Sequence, residues 1–197
     1  KSDFMVFENG KVTCYTLNDA NQLVLLWNYT DTNISVATTK TIVLGDYNGD
    51  GKTDFMIPSG YASNRWYKYT CTGTNFSKLI IDSRITYLQN TSTQTHNYFM
   101  SDYDKDGKSN LVRTLTTRNS ANTLGNILVK CYKNVNGLFY PDQAIETTSP
   151  YKSDIYLNSL PIYLPTGKGI QSKDKPYNPT LEIAFLSNDK IFYFNSN

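Results

Sequence analysis

Short apolar runs, separated by small polar turns, recur along the chain. Residues Asp3–Tyr15 hold two such runs around Asn9 and Gly10, and they align without gaps on Glu182–Phe194. Short apolar runs rich in β-branched and aromatic residues and bounded by turn residues are typical of strands. Asn-Gly between two such runs favours a hairpin, since both central residues of a type I′ turn need positive φ. We therefore predict a β-hairpin in each segment.

The chain also repeats on a larger scale. Residues Thr41–Met56 align with Asn97–Val112 at an offset of 56 residues, and both carry Asp-Tyr-(Asn/Asp)-x-Asp-Gly-Lys between two apolar stretches. The opening residues Lys1–Met5 match the end of the same unit, Lys52–Met56. A supersecondary unit that recurs in this way indicates a repeat architecture.

Each unit reads as strand, acidic loop, strand, hairpin, strand, loop and strand. Four short antiparallel strands that recur every ~40–55 residues are typical of a β-propeller blade. We predict an all-β fold, a complete or partial β-propeller of about four four-stranded antiparallel blades. The first blade is expected to lack its first strand and the last blade its last, and the open sheet edges invite self-association. The expected blades cover residues 1–38, 39–94, 95–150 and 151–197.

Composition and charge narrow the class of protein. Aromatic residues make up 14% of the chain, which gives more burial than disordered chains achieve. The net charge is only +2, from 19 basic and 17 acidic residues, whereas nucleic-acid-binding domains carry a marked excess of positive charge. The longest apolar run is the five residues Leu23–Trp27, too short for a membrane-spanning helix. We therefore expect neither nucleic-acid binding nor membrane insertion.

The two acidic loops carry the strongest chemical signal. A hard cation such as calcium takes six to eight oxygen ligands at about 2.3–2.6 Å, and three nearby carboxylates repel one another without a cation. Gly51 and Gly107 stand at the sixth position, where positive φ allows a tight bend. The seventh residue, a lysine, offers only its backbone carbonyl, with its side chain in solvent. The alternative is a pair of Asx-type turns with solvated acids. The candidate ligands are Asp46, Asn48, Asp50, Lys52 and Asp54 in the first loop, and Asp102, Asp104, Asp106, Lys108 and Asn110 in the second.

These loops resemble a known repeat family. Residues Gly45–Pro58 resemble the FG-GAP (VCBS) repeat of integrin-α-like β-propellers, and Asp102–Asn110 resembles it with a changed last ligand. The resemblance implies that each loop joins the first two strands of a blade and binds structural calcium, giving two sites. No metal is expected in the fourth blade, where Leu164–Gly169 has no acids. Ile57–Gly60 with Trp66 also resembles propeller segments of large bacterial cell-surface, toxin-complex or Rhs-type proteins.

The sequence shows no pattern typical of an active site. The only histidine, His96, precedes a predicted strand in a Thr-rich run, where we expect it to be solvated. No nucleophile elbow, phosphate-binding glycine loop or zinc spacing is present. We expect a non-enzymatic, calcium-stabilised module of a secreted or cell-surface protein, a scaffold or a surface for a protein or glycan partner. The alternative is a carbohydrate-active enzyme or lectin built on the same propeller.

The roles of two further groups of residues depend on whether their side chains are buried. Trp66, Tyr61 and Tyr67, with Arg65 and Asn64, could stack on sugars or anchor a partner, or else fill space between blades. The three cysteines fall near one position of the repeat, too far apart for disulfides. We expect them to be small buried apolar side chains. They are Cys14, Cys71 and Cys131.

Overall fold

The computed structural model describes residues 3–37, 41–82, 84–102, 104–118, 124–150, 160–163, 182–187 and 190–195. All regular structure in these ranges is β-strand, so the predicted all-β class is confirmed. Nor do these ranges contain a helix of the length and apolar character that crossing a membrane requires. The strands are β1 Asp3–Glu8, β2 Lys11–Leu17, β3 Leu23–Thr30, β4 Val43–Gly45, β5 Asp54–Pro58, β6 Arg65–Cys71, β7 Phe76–Asp82, β8 Gln94–Ser101, β9 Asn110–Arg118, β10 Leu124–Val135, β11 Leu138–Pro150, β12 Leu160–Tyr163, β13 Glu182–Ser187 and β14 Lys190–Asn195.

The described strands form antiparallel sheets of three or four strands, each built from strands that are consecutive in the chain. Sheet 1 has the order β1-β2-β3, sheet 2 β4-β5-β6-β7, sheet 3 β8-β9-β10-β11 and sheet 4 β12-β13-β14. Each predicted repeat unit therefore supplies the strands of one sheet, apart from Gln94 at the start of β8. The segment Leu164–Gly169, where no metal is expected, lies outside the described residues.

Both predicted hairpins are confirmed. The β1–β2 pairing runs to Glu8 opposite Lys11, and the β13–β14 pairing runs to Ser187 opposite Lys190. The two hairpins therefore have the same register and a two-residue connection, as their gapless alignment requires.

The turn expected in the first hairpin is wrong in type. Only Gly10 of the Asn9–Gly10 pair has positive φ, at 80°. Tertiary bonds hold this turn, because Gly10 donates its N–H to the carbonyl of Ile34 at 2.9 Å. The type I′ requirement is met instead between β10 and β11, where Asn136 and Gly137 have φ of 54° and 79°.

The chain divides into two compact units, residues Lys1–Gln89 with Val135–Phe139, and Asn90–Asn134 with Tyr140–Asn197. In the first unit, one face of sheet 1 packs against one face of sheet 2. Residues two apart in β2, β5 and β6 supply this contact, because every second side chain of a strand points to the same face of the sheet. Its buried members are Val12, Cys14, Ile34, Phe55, Ile57, Tyr69, Cys71 and Phe76.

Phe55 lies at the centre of this core and is fully buried. Its ring stacks on Tyr69 with 4.4 Å between centroids and meets Phe76 and Phe7 edge-on at 4.8 Å and 5.1 Å. Aromatic pairs of this kind add about 0.5–1.5 kcal/mol each beyond area burial. The strand that follows the first acidic loop is therefore anchored in the best-packed part of the unit.

The three cysteines are buried, as predicted. The strand register shows which of the three cysteines hold equivalent positions in the repeat. Cys14 and Cys131 hold the same position in sheets 1 and 3, whereas in sheet 2 that position holds Lys68. Cys71 lies three residues beyond that position, and its backbone N–H donates a hydrogen bond to Asp54.

Candidate metal centre

Both acidic loops join the first two strands of a four-stranded sheet, and strands flank them on both sides. Residues 46–53 connect β4 to β5, and residues 102–109 connect β8 to β9. Gly51 and Gly107 have φ of 78° and 84°, and a Cβ at either would meet nothing within 4 Å. The backbone conformation, not a lack of space, is what favours glycine at the sixth position.

The two loops also share a left-handed residue at the fourth position. Gly49 has φ of 79° in the first loop, and Lys105 has φ of 57° in the second. A lysine in this region carries a steric cost of roughly 1–2 kcal/mol that glycine does not. The acidic loop is thus one backbone design used twice, with a less suitable residue in the second copy.

The carboxylates of Asp46 and Asp50 in the first loop accept hydrogen bonds from the loop's own backbone. Asp46 accepts hydrogen bonds from the N–H groups of Gly49 and Gly51, each at 2.7 Å, one at each oxygen. Asp50 accepts from the backbone of Lys52 at 2.9 Å and pairs with its ammonium at 2.9 Å. The Lys52 side chain is 43% exposed, so it faces solvent as expected while its ammonium pairs with Asp50. Asn48 accepts from the N–H of Asp50 at 3.2 Å.

Asp54 is fully buried and ties the first loop to β6. Its Oδ2 accepts the backbone N–H of Tyr47 at 2.9 Å, and its Oδ1 accepts that of Cys71 at 2.7 Å. Tyr47 is itself buried and donates its hydroxyl to the carbonyl of Val43. We call this pair of bonds to Asp54 the clasp. It satisfies two buried donors that would otherwise cost about 1–3 kcal/mol each.

The second loop is the one that gathers three carboxylates. Asp102, Asp104 and Asp106 each place an oxygen within 4.8 Å of the others, and among the described residues this is the group of acids, histidines or cysteines that could hold a metal. Asp102 accepts from the N–H groups of Asp106 and Gly107, each at 3.1 Å. Asp106 accepts from the N–H of Lys108 at 2.9 Å. The structure does not bring Asp46, Asp50 and Asp54 together in this way.

Asn110 holds the position of Asp54 in the second loop and makes the bond to the third strand that the clasp makes in the first. It is fully buried, and its Oδ1 accepts the backbone N–H of Asn134 at 2.8 Å. Its amide nitrogen then donates to Oδ1 of Asp104 at 2.7 Å. The residue that the sequence marks as a changed last ligand is therefore a bridge between β10 and the acidic cluster.

Lys133 reaches the same cluster from β10. Its ammonium lies 2.8 Å from Oδ2 of Asp104, whose side chain is 15% exposed. Sequence reasoning missed both Lys133 and Asn134. They follow the loop by more than twenty residues in the chain and reach it only through the pairing of β10 with β9. The register, with Tyr132 opposite Leu111, is the signal that would have found them.

Burial and neighbouring charges set the acidity of the cluster. Burial raises the pKa of Asp102, and the neighbouring Asp104 and Asp106 raise it further. Burial also acts to raise the pKa of Asp104, but its bonds from Lys133 and Asn110 outweigh this and hold the pKa below its usual value. Burial raises the pKa of Asp54 despite its backbone donors. The second loop thus holds crowded negative charge that is only partly offset.

The donor set of the second loop fits a hard divalent cation. Three carboxylates converge within a few ångström, and calcium prefers carboxylate and carbonyl oxygens. Asp102, Asp104 and Asp106 would hold the ion, and the ion would supply the positive charge that relieves their repulsion. The first loop has the same kinds of oxygen ligand, but its carboxylates do not converge as those of the second loop do.

His96 differs from expectation. It lies inside β8 and is buried, and its Nδ1 is 3.0 Å from Nη2 of Arg113. Burial first, and then the Arg113 charge, lower the pKa of His96 to about 4. The imidazole is therefore neutral at pH 7 and accepts the guanidinium hydrogen, which makes it a buried structural group and not a solvated one.

The aromatic group around Trp66 does not form a single surface. Trp66 is fully buried, and its indole N–H donates to the carbonyl of Ile85 at 2.9 Å. Tyr61 is 62% exposed, whereas Tyr67 is half-buried with the ammonium of Lys78 4.7 Å from its ring centre. Trp66 therefore fills interior space, and only Tyr61 offers an open ring.

Comparison with known proteins adds no relative. No family model, curated protein or solved structure matches the chain. The fold and the geometry of the two loops are therefore the observations from which a function can be argued.

Proposed function

We propose that this chain is a calcium-stabilised, non-enzymatic β-propeller segment of the FG-GAP type, part of a secreted or cell-surface protein. The observation that carries the proposal is the convergence of Asp102, Asp104 and Asp106 in a loop between the first two strands of a four-stranded antiparallel sheet. Such a module serves as a rigid scaffold that presents loops to a protein or glycan partner.

The role of the ion in this proposal is structural. A calcium ion among three carboxylates stabilises the folded chain by mass action, because the unfolded chain does not hold those oxygens together. At a calcium concentration of about 100 times Kd the gain is roughly 2.7 kcal/mol. The first loop is a second site in the same proposal, which requires Asp46 and Asp50 to exchange their present donors for the ion.

Thermal unfolding tests the proposal. Millimolar calcium raises the Tm of the native chain, a chelator lowers it again, and magnesium has a smaller effect because it demands tighter octahedral geometry. A control with the three cluster aspartates changed to asparagine shows no calcium-dependent shift from the second loop. A native chain whose Tm responds to neither calcium nor chelator contradicts the proposal.

A further inference from the structure

Lys133 brings a cation to the second acidic loop from outside that loop. Its ammonium contacts Oδ2 of Asp104 at 2.8 Å, and that oxygen is buried. The other oxygen of Asp104 is held by the amide of Asn110 at 2.7 Å. The central carboxylate therefore has an ammonium 2.8 Å from one oxygen and an amide hydrogen bond on the other before any ion enters.

The first loop has no such residue at the matching position. Tyr69 lies opposite Phe55 in sheet 2, and Tyr132 lies opposite Leu111 in sheet 3. The residue after Tyr132 is Lys133, whereas the residue after Tyr69 is Thr70, which carries no charge. The lysine is thus a particular feature of the second loop and not a general part of the repeat.

We propose that Lys133 is a tethered competitor of calcium: its ammonium neutralises Asp104 when the ion is absent and must leave when the ion binds. This inference rests on the proposed function, because it concerns the same site. One carboxylate oxygen cannot accept an ammonium and coordinate a calcium ion at full strength together, since the two cations also repel each other. Lys133 therefore keeps the loop folded without calcium and weakens calcium binding.

Calorimetric titration of calcium into the native chain and Lys133→Met tests the competition. The variant is expected to bind about three- to tenfold more tightly, because one positive charge and one competing contact are removed. Lys108→Met is the matched control, since it removes a positive charge from the same loop but leaves the Lys133–Asp104 ion pair intact. Its Kd is expected to change less than that of Lys133→Met.

The order of thermal stability gives a second readout. Without calcium, Lys133→Met melts below the native chain, because Asp104 loses its partner. In saturating calcium the difference disappears or reverses, because the ion replaces the ammonium. Amine-selective labelling followed by mass spectrometry reports the lysine directly: calcium raises the labelling rate of Lys133 several-fold and leaves that of Lys11, which pairs with Glu8 in sheet 1, unchanged.

The outcomes separate this inference from the proposed function. If the native chain binds calcium but Lys133→Met binds with the same Kd, and calcium does not change the labelling of Lys133, the competition is refuted and the calcium module stands. If no variant binds calcium at all, both proposals fail. Tighter binding in Lys133→Met with a calcium-dependent rise in Lys133 labelling supports both.

Discussion

The backbone N–H of Asn134 donates a 2.8 Å hydrogen bond to Oδ1 of Asn110, and Cys71 makes the same bond, at 2.7 Å, to Asp54. In both sheets the ninth residue of the acidic loop reaches across to the third strand and pairs with the same register position. The ninth residue is therefore first of all a structural link. This explains why asparagine can replace aspartate there.

The clasp predicts unequal effects at Asp54. Asp54→Ala leaves the buried N–H groups of Tyr47 and Cys71 unpaired and should lower the free energy of unfolding by roughly 2–5 kcal/mol. Asp54→Asn keeps one acceptor and should cost about 1–2 kcal/mol. Urea unfolding measures both. The control Asp50→Asn, at an exposed residue, should stay within about 0.5 kcal/mol. An Asp54→Ala midpoint equal to that of the control would show that the clasp has no energetic role.

Asn110→Asp restores the fourth carboxylate that the second loop lacks. The change removes the amide donor to Asp104 and adds a like charge beside it, so the chain should melt at a lower temperature in chelator. Calcium should bind several-fold more tightly, because the cluster gains a negative charge. Differential scanning calorimetry with and without calcium gives both quantities. Asn48→Asp, which adds a carboxylate to the first loop, is the control and should leave the second site unchanged.

Much of the fold could be predicted from sequence because its signals are local. Short apolar runs bounded by turns predict strands, and the repeat predicts where the acidic loops fall, so the strand flanks of residues 46–53 and 102–109 follow directly. The hairpins at both ends of the chain have the register that their alignment implies. The turn at Asn9–Gly10 does not follow, because hydrogen bonds to a distant segment override the local preference.

The site was less predictable because its geometry depends on contacts between distant residues. Both loops carry a similar motif, yet only the second gathers three carboxylates in this structure. The difference goes with side-chain contacts that the shared spacing does not specify: the ammonium of Lys52 pairs with Asp50, whereas Asn110 and, from β10, Lys133 contact Asp104. No spacing rule in the loop itself encodes these contacts.

Phe55→Ala tests the shared core of sheets 1 and 2. The ring is fully buried among Tyr69, Phe76 and Phe7, so its loss should cost about 3–5 kcal/mol through lost transfer free energy and a residual cavity. Chemical unfolding followed by tryptophan fluorescence measures the change. Leu79→Ala, at a residue 56% exposed in β7, should change stability by less than about 1 kcal/mol. Equal effects of the two substitutions would contradict the packing described.

His96 predicts an acid-sensitive component of stability. Its pKa is about 4 in the folded chain and near 6.5 when unfolded, so the unfolded chain binds the proton first as the pH falls. Stability is unaffected above about pH 6.5, falls between pH 6.5 and 4, and falls no further from this source below pH 4, for a total of about 3 kcal/mol. Urea unfolding across this range should show that loss in the native chain relative to His96→Gln. Parallel curves would contradict it.

The most direct test of the calcium site is to count the ions bound by the purified chain. Equilibrium dialysis at millimolar calcium should show that the native chain holds one more calcium ion than the double variant Asp102→Asn, Asp106→Asn, with both chains giving the same β-rich circular dichroism spectrum. A native chain that retains no calcium, or a double variant that retains as much as the native chain, would contradict a calcium site built from Asp102, Asp104 and Asp106.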